Sequence, residues 1–379
     1  MILGKFVLSQ YHKTLRGMRT AAYNEVVVCD RRRHKNVRST FFVVGGIGEF
    51  EFKRRKKMTY LMLIIGFILL IKGADFFVDG SSSVAKLLKV PAIVIGLTVV
   101  AFGTSMPEAS VSITAALQGK NDLAVSNVIG SNIFNLLVVL GASAFVCPIK
   151  ANVSVLKKEF PFSIIATIIL LVMMIPLSIK ELLGGSGEFI LGRVDGIVLL
   201  VLFAVFVANA VRDALKYRND YKENEEEEIK AMSPAKSSVY ILAGLAGIII
   251  GGDLVVESAT DIARTFGLSE TFIGLTIVAL GTSLPELVTS LVAAKKGEND
   301  LALGNVVGSN LFNILLIVGA SCAILPITVQ MTAICDTIIL AIVSVIGYGM
   351  TLSKGEISKK EGVVFLLMYV SFFVYILMR

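Results

Sequence analysis

The chain is a succession of long apolar stretches separated by short polar connections. Each stretch has roughly 18 to 28 residues, which is about the length that a helix needs to cross the 30 Å hydrocarbon layer of a membrane. The stretches that we interpret as transmembrane helices are 59–80, 91–118, 122–146, 161–179, 194–212, 238–258, 271–295, 300–325, 332–353 and 361–378. The pattern therefore predicts an all-α polytopic membrane protein.

Two segments of the chain repeat one another. Residues 96–141 and 274–319 match at a constant offset of 178, and 27 of their 46 positions are identical. Each copy then belongs to a unit of five helices, and the odd number reverses the orientation of the second unit. Inverted repeats with interrupted helices are typical of secondary transporters with a site near the membrane midplane. We expect ten transmembrane helices in two inverted five-helix repeats, with helices 2 and 7 interrupted.

The connections predict the domain organisation and the orientation in the membrane. The expected regions are a basic leader at 1–57, the first repeat at 58–212, an acidic cytoplasmic linker at 213–237 and the second repeat at 238–379. Beyond Met58, and apart from Lys72, the connections after the odd-numbered helices carry 16 Lys and Arg, whereas the other side carries five. Because basic residues favour the cytoplasmic side, we expect a multi-pass protein of the plasma or inner membrane with both termini outside.

Charge changes this picture in one region only. The whole chain has a net charge of +7 and a mean hydropathy of +0.79, with 55% hydrophobic and 17% charged residues. Residues 1–57 hold 14 Lys and Arg against four acidic residues, a net of +10, so the remaining chain is at −3. The basic surplus therefore predicts no nucleic-acid partner. We expect either that translation starts at Met58 or that the leader is a poorly ordered basic tail.

The composition excludes several kinds of chemistry. Four Cys without paired spacing exclude a disulfide scaffold, and two His leave little room for a zinc site. No nucleophile–base pair or cofactor-binding loop is found, so we expect neither an enzyme nor a cofactor. The expected partners are inorganic cations and the lipid bilayer, with no obligate protein partner.

Two glutamates, Glu108 and Glu286, lie near the middle of predicted helices 2 and 7, each within a Gly-Thr-Ser-x-Pro-Glu motif. An ionised carboxylate at that depth is costly, so it usually faces the bundle interior and meets a cation or a proton. The proline breaks the helix and frees carbonyls around Ala101–Thr104 and Ala279–Thr282. Carbonyls, hydroxyls and a carboxylate, supplied twice, predict an oxygen cage for hard cations. The same motif also spells a capping box, Ser105 to Glu108 and Ser283 to Glu286, which would only restart the helix.

Predicted helices 3 and 8 add a polar stripe. Its members recur every fourth residue and so share one helix face: Asn127, Ser131 and Asn135, with Asn305, Ser309 and Asn313 at the equivalent positions. They either line the ion site or form hydrogen bonds that pack helices together. Four further acidic residues lie towards the ends of helices 1 and 6: Asp75, Asp79, Asp253 and Glu257. They are either solvated carboxylates or part of an ion entry.

With its doubled Gly-Thr-Ser-x-Pro-Glu and Gly-Ser-Asn-x-Phe-Asn motifs, the sequence resembles the cation/calcium antiporter superfamily, most closely its prokaryotic sodium/calcium exchanger branch. The resemblance covers residues 58–379. It implies ten helices in two inverted halves, with ions held between helices 2, 3, 7 and 8. It assigns calcium ligands to Glu108, Glu286 and the carbonyls of Thr104 and Thr282, sodium positions to Ser105, Ser283, Ser131, Ser309 and the carbonyls of Ala101 and Ala279, and the remaining central polar positions to Asn135 and Asn313.

One departure from the family pattern concerns Asn313, where many microbial relatives and the potassium-dependent branch have aspartate. An amide takes up no proton and adds no negative charge, which weakens the case for potassium co-transport. The resemblance implies an antiporter in which Ca2+ and Na+ compete for the two glutamates during alternating access. Proton/calcium or Na+/Mg2+ antiport with the same cage, a passive cation channel and a non-transporting scaffold are the alternatives.

Overall fold

The computed structural model describes residues 37–150, 155–175, 189–222, 231–268, 277 and 279–378. Most of the predicted leader, the middle of the predicted linker at 223–230, the end of predicted helix 4 and most of the start of predicted helix 7 lie outside the described residues. The chain forms two compact units, Met1–Lys56 and Lys57–Arg379. In the first unit the described residues 37–56 are helical, and the site described below belongs to the second.

Helices make up most of both halves. The first half contains α1 (Val37–Leu88), α2 (Ala92–Ile95), the π-helix π1 (Gly96–Val100), α3 (Ala101–Thr104), α4 (Met106–Leu117), α5 (Asn121–Phe134), π2 (Asn135–Val139), α6 (Leu140–Val146), π3 (Val155–Glu159), α7 (Phe160–Met174) and α8 (Arg193–Lys222). The second half contains α9 (Pro234–Thr265), α10 (Ala279–Gly281), α11 (Leu284–Lys295), α12 (Asn299–Leu311), π4 (Phe312–Val318), α13 (Gly319–Ile324), α14 (Met331–Lys354) and α15 (Lys359–Met378).

The ends of several helices follow from local sequence signals. Ser233 caps α9, since its hydroxyl accepts the Lys236 N–H at 3.4 Å, and Pro234 opens the helix at a position where the missing N–H is harmless. Gly119 (φ 71°) and Gly297 (φ 77°) end α4 and α11 in the left-handed conformation that glycine adopts freely. Because these glycines are 178 residues apart, equivalent helices of the two halves end in the same way.

Two straight segments form the centre of the second unit, and the other long helices surround them. Within the apolar window of each span, 94% of Asn299–Ile324 and 72% of Leu123–Val146 is buried, against 17% to 33% for the spans of α1, α8, α9 and α15. The outer helices expose large apolar side chains such as Leu242 (68% exposed) and Leu367 (60% exposed). An apolar surface of this extent suits lipid rather than water.

Seven helices of the described chain are long and apolar enough to cross a membrane. Ala92–Thr104 and Met106–Leu117 meet at an angle of 51° and form either an eighth, broken span or a re-entrant loop. The protein is therefore an integral membrane protein with several helical spans.

Two short antiparallel ladders tie the halves together. The strands are β1 (Ile149–Lys150), β2 (Phe189–Leu191), β3 (Ile327–Val329) and β4 (Glu356–Ile357). Strand β1 pairs with β4, with Ile149 opposite Ile357, and β2 pairs with β3, with Phe189 opposite Val329. Strand β1 follows α6 of the first half, and its partner β4 precedes α15 of the second. In the same way, β3 follows α13 of the second half, and its partner β2 precedes α8 of the first.

Helices α1 and α9 cross through glycines that are equivalent in the repeat. A Cβ on Gly73 would lie 2.8 Å from the Gly244 carbonyl oxygen, and one on Gly66 would lie 3.0 Å from that of Gly251. The backbones of α1 and α9 therefore touch, which only glycine at these positions allows.

Candidate functional site

Both glutamates lie just after a helix break. Ser105 (φ −83°, ψ 7°) separates α3 from α4, and Glu108 lies in the first turn of α4. Ser283 (φ −93°, ψ 6°) precedes α11 in the same way, with Glu286 in its first turn. Both carboxylates are fully buried, at 0% exposure. The proline in each motif occupies the first turn of the following helix, where its missing N–H costs nothing, so α4 and α11 continue unbroken beyond it.

The serines and glutamates of the two halves pair crosswise. The Ser283 hydroxyl donates to Glu108 Oε1 at 2.9 Å, and the Ser105 hydroxyl donates to Glu286 Oε1 at 2.9 Å. Neither serine makes a side-chain hydrogen bond that caps its own helix. The capping-box interpretation of the motif is therefore wrong for these two hydroxyls, because each is used by the carboxylate of the opposite half.

The backbone at the first break retains more of its hydrogen bonding than expected. The Ala101 carbonyl still accepts the Ser105 N–H at 3.0 Å, so the proline does not free it. A carbonyl oxygen has a second lone pair, which leaves it able to contact a cation. Thr104 is fully buried beside it, whereas Thr282 and Ala279 lie at the equivalent break in the second half.

The polar stripe divides into two groups. The first position of each stripe joins neighbouring helices, since Asn127 Nδ2 donates to Ser112 at 2.9 Å and Asn305 Nδ2 donates to Ser290 at 2.9 Å. Asn305 Oδ1 also accepts the Thr104 hydroxyl at 2.9 Å. These hydrogen bonds match the helix-packing interpretation of Asn127 and Asn305.

The other stripe positions are all buried, and one of them contacts a glutamate. Ser309 Oγ is 3.4 Å from Glu286 Oε1 and 3.5 Å from the Thr104 hydroxyl. Ser131, Asn135 and Asn313 are buried, at 3%, 0% and 0% exposure. The structure therefore brings Ser309 directly against the carboxylate of its own half and beside the Thr104 hydroxyl of the other half.

Six side-chain oxygens of the predicted site residues are buried without a hydrogen-bond partner among the described residues. They are Oε2 of Glu108, Oε2 of Glu286, Oγ of Ser131, Oγ1 of Thr282, Oδ1 of Asn135 and Oδ1 of Asn313. A buried oxygen without a donor is costly, and two buried carboxylates are more so, unless a cation or a proton compensates them. Carboxylate, hydroxyl and amide oxygens are the ligands that hard cations prefer.

Among the described residues, two acidic side chains lie at the site. Within the part of the chain that the structure describes, no group of three or more His, Cys, Asp or Glu is placed to hold a metal ion. The negative charge at the site is therefore set by Glu108 and Glu286, and neutral oxygens supply the rest.

Sequence reasoning missed two buried asparagines, Asn132 and Asn310, which connect α5 and α12. They are identical in both copies of the repeat, directly after Ser131 and Ser309, and that identity was the available signal. Spacing by four places them off the stripe, which is why the helical periodicity did not find them.

The acidic residues of α1 are paired near the end of α11. Lys296 Nζ lies 2.7 Å from Asp79 Oδ1 and 3.5 Å from Asp75 Oδ1, and the Ser82 hydroxyl donates to Glu298 at 2.6 Å. Half-exposed ion pairs of this kind match the interpretation of Asp75 and Asp79 as solvated carboxylates. Their equivalents on α9 are Asp253 and Glu257, and the position of the first repeat that corresponds to Lys296 holds Gln118 instead of a lysine.

The apolar spans and the buried, oxygen-lined site together define an integral membrane protein of the cation-transporter class. The family model described as sodium/calcium exchanger protein matches residues 58–212 and 236–378. The chain therefore belongs to the sodium/calcium exchanger family, which is a family of transporters and not of enzymes, and the resemblance drawn from the paired motifs is confirmed.

Individual relatives and a solved structure agree with this assignment. The sodium/calcium exchanger MaX1 of Methanosarcina acetivorans is 33% identical over 344 residues, covering 84% of this chain and 98% of the relative. The inner membrane protein YrbG of Escherichia coli is 37% identical over 270 residues, covering 70% of this chain and 79% of the relative. The structure of the sodium–calcium exchanger NCX_Mj superposes with a TM-score of 0.69 at 32% identity, covering 82% of this chain and 96% of that one.

Proposed function

We propose that the protein is a secondary active antiporter that exchanges Ca2+ for Na+ at the site between its two halves. The observation that carries this proposal is the set of six buried oxygens that have no hydrogen-bond partner among the described residues, contributed by α4, α5, π2, π4, α11 and Thr282 in the turn before α11. Two of them belong to carboxylates that meet across the halves through the Ser105 and Ser283 hydroxyls.

The charge of the site supports exchange of two ion species rather than binding of one alone. Two carboxylates neutralise one Ca2+ or share their charge among several Na+. Ca2+ and Na+ both need the same two carboxylates, so binding of one ion species excludes the other. This exclusion couples the two fluxes.

We propose the following ligands for the transported ions. Ca2+ is held by the carboxylates of Glu108 and Glu286 with the carbonyls of Thr104 and Thr282. The sodium positions are formed by the Ser105, Ser283, Ser131 and Ser309 hydroxyls with the carbonyls of Ala101 and Ala279, and Asn135 and Asn313 complete the centre. The short Ser309 to Glu286 distance supports placing hydroxyls beside the carboxylates.

The proposed architecture has ten transmembrane helices in two inverted five-helix repeats at 58–212 and 238–379, with the site at the membrane midplane. The central linker at 213–237 lies in the cytoplasm and both termini lie outside. Alternating access arises when α1 and α9, which touch through Gly73 and Gly244, move together across the core of α4, α5, α11 and α12.

Radioactive Ca2+ uptake into Na+-loaded proteoliposomes tests the function. Wild-type protein should take up Ca2+ only when an outward Na+ gradient is present. Glu108→Gln should reduce uptake by about 10- to 100-fold or more, since the lost carboxylate weakens cation binding and each 1.4 kcal/mol is a factor of ten. Glu356→Gln, the same change in strand β4 away from the site, is the matched control and should transport normally.

Other outcomes would identify other functions. Ca2+ uptake that is driven by a pH gradient instead of a Na+ gradient would indicate proton/calcium antiport. Mg2+ that competes for the site and is carried in place of Ca2+ would indicate Na+/Mg2+ antiport. Uptake that needs no counter-ion would indicate a channel. Unchanged transport in Glu108→Gln would refute the assigned site.

A further inference from the structure

Four buried asparagines form a reciprocal network between the two central segments. Asn132 Nδ2 donates to the Asn310 carbonyl at 3.2 Å, and Asn310 Nδ2 donates to the Asn132 carbonyl at 3.4 Å. Asn132 and Asn310 are 0% and 5% exposed. Each amide therefore fills a backbone acceptor on the opposite half, as a two-fold arrangement requires.

The same two amides also hold the asparagines that we assign to the ion site. Asn313 Nδ2 donates to Asn132 Oδ1 at 2.9 Å, and Asn135 Nδ2 donates to Asn310 Oδ1 at 3.3 Å. Both of these hydrogen bonds also join a residue of one half to a residue of the other.

The network determines which end of each amide is oxygen. A backbone carbonyl only accepts, so the end of Asn132 that faces the Asn310 carbonyl must be its NH2 group. The other end of Asn132 is then Oδ1, which only accepts, so Asn313 must turn its NH2 group towards it. Asn313 is left with Oδ1 as its remaining end, and the same argument through Asn310 leaves Asn135 with Oδ1. Both oxygens are buried without a partner among the residues that the structure describes.

We infer that Asn132 and Asn310 are positioning residues that hold the amides of Asn313 and Asn135 with their oxygens turned towards the transported cation. The inference rests on the proposed function of the site. Without its anchor, an asparagine amide can rotate by half a turn and present two N–H donors, which repel a cation. An aspartate needs no such anchor, because both of its ends are oxygens.

A double-mutant cycle separates positioning from a structural role. In the native background, Asn132→Ala should raise the KM for radioactive Ca2+ by about tenfold with little change in the maximal rate, since one oriented ligand is worth about 1 to 2 kcal/mol. In the Asn313→Asp background, the same change should leave the KM within about twofold, because orientation no longer matters there. Asn127→Ala, an asparagine of α5 that bonds to Ser112, is the control and should act equally in both backgrounds.

An equal rise in KM in both backgrounds, or no rise in the native one, would overturn the inference. If Asn132→Ala gives no folded protein, the cycle is run with Asn310→Ala and Asn135→Asp. If both alanine variants fail to fold with and without the aspartate, the asparagines are structural and the inference is wrong. Failure of the proposed function is separate: it would appear as normal uptake in Glu108→Gln, whatever the cycle shows.

Discussion

Ser131 and Ser143 present the same chemistry in two places. Both hydroxyls are buried and have no hydrogen-bond partner in the described part of the chain, but Ser131 lies in α5 on the stripe of the site, whereas Ser143 lies in α6. An unpartnered buried hydroxyl costs about 1 to 3 kcal/mol, which protein packing must otherwise offset. A pair of this kind allows function and stability to be separated.

Ser131→Ala should therefore raise the Na+ concentration for half-maximal Ca2+ exchange without lowering the unfolding temperature. The proposed sodium ligand is lost, but no hydrogen bond of the described protein is broken. Ser143→Ala should likewise keep or raise the unfolding temperature and leave the Na+ dependence unchanged. Titration of Ca2+ exchange with Na+ measures the first effect, and thermal unfolding in detergent measures the second. An equal change of the Na+ dependence in both variants would contradict the role of Ser131.

At this scale the sequence indicated which residues gather but not how their atoms pair. The repeat and the helix breaks predicted that Glu108, Glu286 and the serines share a site. That Ser283 serves Glu108, and Ser105 serves Glu286, depends on how the two halves cross, and no local pattern carries that information. Asn132 was missed for a related reason, because its partners lie on the other half and its position is off the periodic stripe.

Among the elements, the crossing of α1 and α9 depends most strictly on residue size. Four glycines, two in each helix and 178 residues apart in pairs, bring the backbones into contact: Gly66, Gly73, Gly244 and Gly251. A Cβ on Gly73 would lie 2.7 Å from the Ile248 nitrogen, which is backbone and cannot rotate away. Side chains at this crossing would separate the pair of helices that we propose to move as one body.

Gly73→Ala should lower the unfolding temperature and slow Ca2+ exchange, because overpacking of this kind costs about 1 to 3 kcal/mol. Gly349→Ala in α14 is the matched control, since nothing lies within 4 Å of a Cβ built there among the described residues. Alanine in an exposed helix should stabilise by up to about 1 kcal/mol relative to glycine. Equal unfolding temperatures for Gly73→Ala and wild type would show that the crossing tolerates separation.

The hydropathy pattern located helices well but not their full extent. Helix α8 continues to Lys222 and α9 runs from Pro234 to Thr265, both beyond the predicted stretches. Hydropathy marks the apolar part of a helix, whereas backbone hydrogen bonds continue into its polar ends. The π-helices π2 and π4, at equivalent positions of the repeat, were not predicted either, because one extra residue per turn leaves no trace in hydropathy.

For the whole molecule, the repeat and the spans could be predicted, but the joining of the two halves could not. The ladders β1 with β4 and β2 with β3 have strands of two or three residues, too short to show a period of two. Their pairing follows from the arrangement of the long helices, which brings distant strand residues together. Length and hydropathy predict ten spans, of which the described residues show seven, or eight if the bent pair is one span, and the full count stays a prediction.

The charge distribution leads to a prediction about residues 1–57. Their net charge is +10 against −3 for the rest of the chain, and the family match begins at residue 58. The compact unit Lys57–Arg379 contains every residue proposed for the site. In the proposed orientation, the basic run Lys53–Lys57 would lie outside, against the preference of Lys and Arg for the cytoplasmic side.

A chain that begins at Met58 should therefore insert in a single orientation and exchange Ca2+ for Na+ as well as the full chain does. Reporter fusions to the central linker measure the orientation, and Na+-driven uptake measures the transport. A full chain with Lys53 to Lys57 changed to glutamine is the control: it keeps the segment but removes its charge, and it should match the shortened chain. Loss of uptake on shortening, with uptake retained in the glutamine chain, would show that the segment itself is needed. Reversed orientation of both variants would contradict the assignment of the linker to the cytoplasm.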